Sequence, residues 1–320
     1  MDYIKQQGYV FGPVPSRRLG RSLGIDLLPF KTCTFDCIYC QLGCTTNKST
    51  ERQEWVPLEA VVDEIRTRLG SGPDYITLGG SGEPTLYSRI GELIENIRSM
   101  TNIPIAVLTN GSLFWKQEVR NELQNANVVI PSLDAGDRTL FRAVNRPHPA
   151  VTFERLLDGL AAFRSEFLGQ YWLEVLLLAG YTAIEAEVKK IAKVCKEIGP
   201  DRIHLNTCVR PPAEEFAYPV DRQKLVELAS LFTPPAEVIA DFEAGTGTSA
   251  STVDTLEIFR MLQRRPCTAS DIAAGLKMHT TEVAKEIGLL MRNGLVESRK
   301  ADHQSPVYVA TCRCTRMNAG

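Results

Sequence analysis

From Ser22 to about Phe242, short apolar runs alternate with longer amphipathic segments. That rhythm limits the fold of this 320-residue chain more than any other feature. Repeated strand–helix units predict a parallel sheet with helices packed on it, an α/β class. The apolar runs at 23–28, 75–78, 105–108, 128–132, 172–178 and 202–206 have the length of buried parallel strands. Between them, Pro57 is placed to open a helix through Arg66 with Val61, Val62 and Ile65 on one face. Further helices are predicted near 90–98, 116–123, 153–163, 184–198 and 222–231. Six such units predict a partial or opened (β/α) barrel, whose chemistry sits at the carboxyl ends of its strands.

The stretch Glu243-Ala-Gly-Thr-Gly-Thr-Ser-Ala-Ser251 breaks this rhythm with small residues and reads as a linker. It separates a first domain, 1–242, from a smaller one, 252–311, with 312–320 as a tail. In the small domain, helical periodicity at 253–263, 268–275 and 280–291 precedes a hairpin formed by 294–300 and 307–309. Three helices and a hairpin predict a winged helix-turn-helix. No apolar run approaches the roughly 18 residues that cross a bilayer. The first eight residues carry Asp2 and Lys5 in place of a secretory apolar stretch, so a cytoplasmic location without membrane contact is expected. The net charge of -2 argues against a chain-wide polyanion surface. Residues 251–320 nevertheless carry ten Lys or Arg against seven Asp or Glu, a local +3 beside -5 for the remainder. The wing, with Arg299, Lys300 and His303, suits phosphates better than the third helix, where Lys285 and Arg292 alternate with Glu282 and Glu286. Contact with RNA, DNA or peptide, or dimerisation, is open to such a module.

Nine cysteines beside four histidines are many for a compartment where stable disulfides are rare. Four fall within twelve residues: Cys33, Cys37, Cys40 and Cys44. The triplet Cys33-Thr-Phe-Asp-Cys37-Ile-Tyr-Cys40 directly follows the first predicted strand. A [4Fe-4S] cube has four irons and the triplet offers three thiolates, which leaves one iron open to a small ligand. Closure of a zinc site or of a four-thiolate cluster by Cys44 is the alternative. After the second strand, Gly79-Gly-Ser-Gly-Glu-Pro84 is a turn whose backbone can approach a ligand closely. Its carbonyls and Glu83 can receive an ammonium group. The third and fourth strands end in Thr109-Asn-Gly-Ser112 and Ser132-Leu-Asp134, short polar side chains that suit either ligand binding or turn capping. The sixth runs into Asn206-Thr-Cys-Val-Arg-Pro-Pro212, where Arg210 can take an anion or a surface ion pair. Arg17, Arg18 and Arg21 read as ion-pairing residues near the cluster, with RNA phosphate contact as the alternative. Cys195 reads as core and Cys208 as facing the strand ends, while Cys267, Cys312 and Cys314 could share an auxiliary metal site.

The C-x3-C-x2-C triplet resembles that of the radical S-adenosylmethionine (SAM) superfamily. The resemblance implies a partial (β/α)6 barrel, a [4Fe-4S] cluster on Cys33, Cys37 and Cys40, and SAM chelated to the open iron. It further implies reductive cleavage of SAM to methionine and a 5'-deoxyadenosyl radical, fed by a flavodoxin- or ferredoxin-like electron donor. Tyr39 matches the superfamily's aromatic position against adenine, and it could equally be a packed loop aromatic. The turn with Gly80, Gly82 and Glu83 resembles the motif that holds the methionine amine, and Asn110 and Ser132 are assigned to SAM by the same resemblance. Phe11 to Gly24, Thr32 to Gly43, Gly80 to Leu86 and Asn206 to Pro212 together look like the iron–sulfur oxidoreductase group related to wyosine-base synthases of tRNA modification. Those synthases build a second cluster from upstream cysteines, and no cysteine precedes Cys33, which argues against wyosine synthesis. The expectation is an enzyme of unassigned substrate, RNA, peptide or metabolite. The rival is an iron–sulfur redox-sensing regulator that reads DNA through the winged helix.

Overall fold

The computed structural model describes residues 8–208, 212–240, 255–276, 278, 280–299 and 306–311. The chain divides into two compact units, Met1–Glu243 and Ala244–Gly320. The linker read at 243–251 lies outside the described residues.

In the first unit the elements run in the order β1 (Val10–Ser16), β2 (Gly20–Ile25), β3 (Thr32–Cys33), β4 (Asn47–Lys48), α1 (Leu58–Arg68) and β5 (Tyr75–Leu78). There follow α2 (Ile90–Met100), β6 (Ile105–Thr109), α3 (Gln117–Glu122), β7 (Val128–Pro131), α4 (Arg138–Asn145) and α5 (Phe153–Glu166). The unit ends with β8 (Gln170–Leu176), α6 (Glu185–Ile198), β9 (Arg202–Asn206), α7 (Arg222–Ala229) and β10 (Glu237–Val238). Eight strands form one sheet in the order β1-β2-β5-β6-β7-β8-β9-β10, with β1 antiparallel to β2 and every other pair parallel. From β2 to β9, neighbours in the sheet follow chain order, so each crossover advances by one position, as in a singly wound barrel wall.

Alternation along the strands divides the side chains between two faces. Ile105, Val107, Val129 and Leu173 join the main core under the helices. Ala106, Val128, Ile130 and Trp172 join Leu19 in a separate cluster on the other face. Burial on both faces is why these strands read as continuous apolar runs.

The first strand begins and ends three residues earlier than the apolar run suggests. Leu27 and Leu28 are buried, but the ladder with β5 stops at Ile25 opposite Leu78. Likewise the fifth predicted strand is Gln170–Leu176, and the buried Leu177 and Leu178 belong to the following loop. The edge strand β1, the short β10 and helix α4 add to the sequence reading.

The second unit contains α8 (Thr255–Arg264), β11 (Cys267–Thr268), α9 (Ala269–Leu276), α10 (Thr280–Arg292), β12 (Val296–Arg299) and β13 (Val307–Ala310). Its strands form an antiparallel sheet in the order β11-β13-β12. Thr268 and Asp271 cap α9 reciprocally: the Asp271 N–H donates to Thr268 Oγ1 at 3.1 Å and the Thr268 N–H to Asp271 Oδ2 at 3.0 Å. Among the described residues, no helix is long and apolar enough to cross a membrane.

Candidate functional site

The loop after β2 carries the three cysteines and is held from three sides. It is closed on itself by the parallel β3–β4 bridge, which pairs Cys33 with Lys48. Behind it stands α4, whose last carbonyls have no helical partner of their own. The Val144 carbonyl accepts the Ile38 N–H and the Asn145 carbonyl the Asp36 N–H, each at 3.0 Å. Phe35 and Ile38 are buried beside this helix, with the Phe35 ring edge-on to Phe141 at 5.4 Å.

On the third side lies the turn after β5. The Lys31 N–H donates to the Ser81 carbonyl at 2.7 Å, and the Glu83 N–H to the Thr32 carbonyl at 3.1 Å. This approach needs glycine. A Cβ on Gly82 would lie 1.8 Å from the Thr32 oxygen, and one on Gly80 would lie 2.7 Å from Asp26 Cγ. Asp26 in turn accepts from the Ser81 N–H at 3.1 Å and its hydroxyl at 2.5 Å.

Each thiol of the triplet receives an N–H from a different side chain. Lys31 Nζ donates to Cys40 Sγ at 3.0 Å, Asn145 Nδ2 to Cys37 Sγ at 3.5 Å, and Asn110 Nδ2 to Cys33 Sγ at 3.6 Å. Burial pushes the Cys33 thiol up to about 12, helped by Glu83, and burial likewise holds the Cys37 thiol well above its ordinary range, helped by Asp134 and the other two cysteines. Three mutually repelling, half-buried thiols with N–H donors aimed at their sulfurs suit thiolates that a cationic metal group neutralises. Among the described residues, no three His, Cys, Asp or Glu side chains close on a single metal ion.

A cavity of about 300 Å³ opens between this loop and the ends of β8 and β9. Cys33, Cys40, Tyr39 and Lys31 line one side together with Gly80, Ser81 and Gly82. Arg17 and Arg18, from the turn between β1 and β2, line the other side with Glu174 and Asn206. Arg18 pairs with Glu174 at 2.9 Å, Arg17 donates to Asn206 Oδ1 at 2.7 Å, and Asn206 Nδ2 donates to Glu174 Oε1 at 2.8 Å. Burial alone would raise the Glu174 carboxyl, but Arg18, Asn206 and Arg17 overcome it and hold the group below its ordinary range. Arg21 faces away and donates to the Gly72 and Ser71 carbonyls.

The structure distributes the sequence-predicted residues unevenly around this cavity. Tyr39, Gly80 and Gly82 line it with Cys33 and Cys40, while Cys37 is not among the lining residues. Tyr39 donates its hydroxyl to the buried Asp134, which also accepts from the Leu176 N–H at 3.0 Å and from Asn145 at 2.8 Å.

Glu83, expected from the sequence to receive an ammonium group, does not line the cavity. It is 2% exposed, and its carboxylate accepts from Thr109 Oγ1 at 2.6 Å, Asn110 N–H at 2.7 Å, Thr85 Oγ1 at 2.5 Å and Thr85 N–H at 3.1 Å. With its oxygens so engaged, it braces the ends of β5 and β6 behind the cavity wall. Asn110 donates to Thr34 Oγ1 at 2.7 Å, and Ser132 bridges the backbone of Glu174; neither lines the cavity. Arg210 lies outside the described residues, as do Cys312 and Cys314. Cys44 is exposed, Cys195 and Cys267 are buried, and Cys208 lines the cavity.

Lys31, Asn145 and Glu174 are the functional candidates that sequence reasoning did not name, whereas it named Asp134 at the fourth strand end. Only Glu174 carried a usable signal, as a charge inside an otherwise apolar strand.

The Radical SAM superfamily model matches residues 27–195, the span from the cysteine loop through α6. The UPF0026 protein of Methanocaldococcus jannaschii is 38% identical over 226 residues, which cover 69% of this chain and 70% of that one. A protein of Brachyspira hyodysenteriae named GTPase Obg is 37% identical over 292 residues; they cover 90% of this chain but only 43% of that longer protein. Among solved structures, a radical SAM methyltransferase from Sphaerobacter thermophilus shares the fold, with a TM-score of 0.52 at 17% identity over 68% of this chain and 66% of its own. The matched span begins beside the three thiols and takes in the glycine turn that meets them, and on this ground the chain belongs to the radical SAM superfamily.

Proposed function

We propose that this chain is a radical SAM enzyme that holds a [4Fe-4S] cluster on Cys33, Cys37 and Cys40 and binds SAM at the open iron. The observation that carries the reading is a loop of three N–H-bonded thiols, two of which, Cys33 and Cys40, line one cavity with the Gly80–Gly82 turn. When bound, the cluster and SAM supply one-electron reductive cleavage of the sulfonium to methionine and a 5'-deoxyadenosyl radical, which takes a hydrogen atom from the substrate.

The protein's own residues have three tasks. The glycines leave backbone carbonyls and open space for the methionine ammonium, and Glu83 fixes the turn in that position. Tyr39 offers its ring to the adenine, with its hydroxyl anchored on Asp134. By the superfamily resemblance Asn110 and Ser132, which are not among the residues lining the cavity, are assigned to SAM, and Arg210 to the SAM carboxylate or the substrate. The hairpin arginines and Glu174 close the opposite wall and exclude water from the reacting atoms.

We read the second unit, three helices and a three-stranded sheet, as a winged helix-turn-helix that contacts RNA, DNA or peptide. RNA or peptide is accordingly the substrate class, and a cytoplasmic flavodoxin- or ferredoxin-like protein the electron donor. That same unit favours the rival, an iron–sulfur redox-sensing DNA-binding regulator. Anaerobically reconstituted full-length protein, given dithionite and SAM, is expected to release 5'-deoxyadenosine, and Cys33→Ala, Cys37→Ala and Cys40→Ala are each expected to abolish it. Cluster-dependent DNA binding without SAM cleavage would establish the regulator instead.

A further inference from the structure

Lys31 stands in an unusual position. Its backbone is left-handed, with φ of 59°, a conformation that ordinarily falls to glycine. It is pinned there from both directions: its N–H donates to the Ser81 carbonyl, and its own carbonyl accepts from the Thr46 N–H at 3.2 Å and the Asn47 N–H at 3.1 Å. The residue is 3% exposed and lines the cavity. Among the described residues, no carboxylate lies within ion-pair distance of it, and the group it contacts is Cys40 Sγ, at 3.0 Å. A buried ammonium requires a compensating anion. Cys40, as a thiolate ligand of the proposed cluster, would supply it.

The other two thiols receive only neutral donors at longer distances: Cys33 from Asn110 Nδ2 and the Phe35 N–H, and Cys37 from Asn145 Nδ2. The triplet is therefore solvated asymmetrically, by one charged donor on Cys40 and three neutral ones on Cys33 and Cys37. A hydrogen bond from a cation to a ligand sulfur is stronger than one from an amide, and a nearby positive charge favours the more negative of two redox states. Hydrogen bonds to sulfur and local charge are among the factors that set the potential of an iron–sulfur cluster.

We infer that Lys31 is a positioning residue for electron uptake: through Cys40 it raises the reduction potential of the cluster, so that one electron from a weaker reductant suffices. This rests on the reading of Cys33, Cys37 and Cys40 as cluster ligands.

The test uses full-length protein, reconstituted anaerobically without SAM so that no ligand carboxylate competes for Lys31. Iron and sulfide are quantified, and the EPR signal of the reduced cluster is followed against poised potential. At the wild-type midpoint, Lys31→Met is expected to show about a tenfold lower ratio of reduced to oxidised cluster, equivalent to about 59 mV for one electron. Lys31→Arg should stay near the wild type and Lys31→Gln should fall between them. Lys31→Gln is the variant to read if Lys31→Met fails to fold. Identical midpoints would overturn the inference. So would loss of the cluster from all three variants while the wild type assembles it, since Lys31 would then serve assembly. A wild type that takes up no iron or sulfide would instead remove the cluster reading itself, and the inference with it.

Discussion

At the scale of single residues, the site depends on positions where the chain meets itself at less than side-chain distance. Gly82 is the sharpest case, because an added methyl would overlap the Thr32 carbonyl that accepts the Glu83 N–H. Gly82→Ala is expected to lower stability by about 1–3 kcal/mol and to reduce iron uptake, measured by urea unfolding and by metal content. Gly70→Ala, where an added Cβ meets nothing within 4 Å, should change stability by no more than about 0.5 kcal/mol. The three cysteines were legible because their spacing is itself the signal. Glu83 was legible as a polar group after a glycine turn, but not its burial or the four donors that engage it. Lys31 was not legible at all. One lysine before a cysteine carries no pattern, and its contact with Cys40 exists only once the loop has folded back.

At the scale of elements, the strand–helix rhythm gave the parallel sheet because strands buried on both faces leave continuous apolar runs. Two elements escaped it for identifiable reasons. Pro13 and Pro15 interrupt the β1 run, and a strand with prolines belongs at a sheet edge, where β1 is found. Helix α4 is eight residues long and begins on polar residues. Its signature was nonetheless present, since Asp137 precedes Leu140, Phe141 and Val144 and accepts the Leu140 N–H at 2.9 Å. That N–H and Lys190, 2.8 Å away, hold the Asp137 carboxyl below its ordinary range. Because α4 receives the Ile38 and Asp36 amides of the cysteine loop, its N-cap is coupled to the site. Asp137→Ala is expected to cost about 1 kcal/mol and to speed hydrogen exchange at the Asp36 and Ile38 amides more than at β6 amides. Unchanged exchange in the loop would show that α4 does not support it.

At the scale of the whole molecule, two units divide the chain, and only the first carries the thiols, the glycine turn and the cavity described above. The charge read from the sequence is also unequal, -5 in residues 1–250 and +3 in 251–320. Strand order could be inferred from chain order, whereas the cavity could not. It is built from the β1–β2 turn, the cysteine loop and the ends of β8 and β9, segments far apart in sequence. The central claim is that three thiolates leave one iron of a cluster open to SAM. It is tested most directly by EPR of the anaerobically reduced full-length protein, recorded with and without SAM. The account predicts a [4Fe-4S] signal that SAM perturbs in the wild type and that is lost in Cys40→Ala. A cluster signal indifferent to SAM would contradict it.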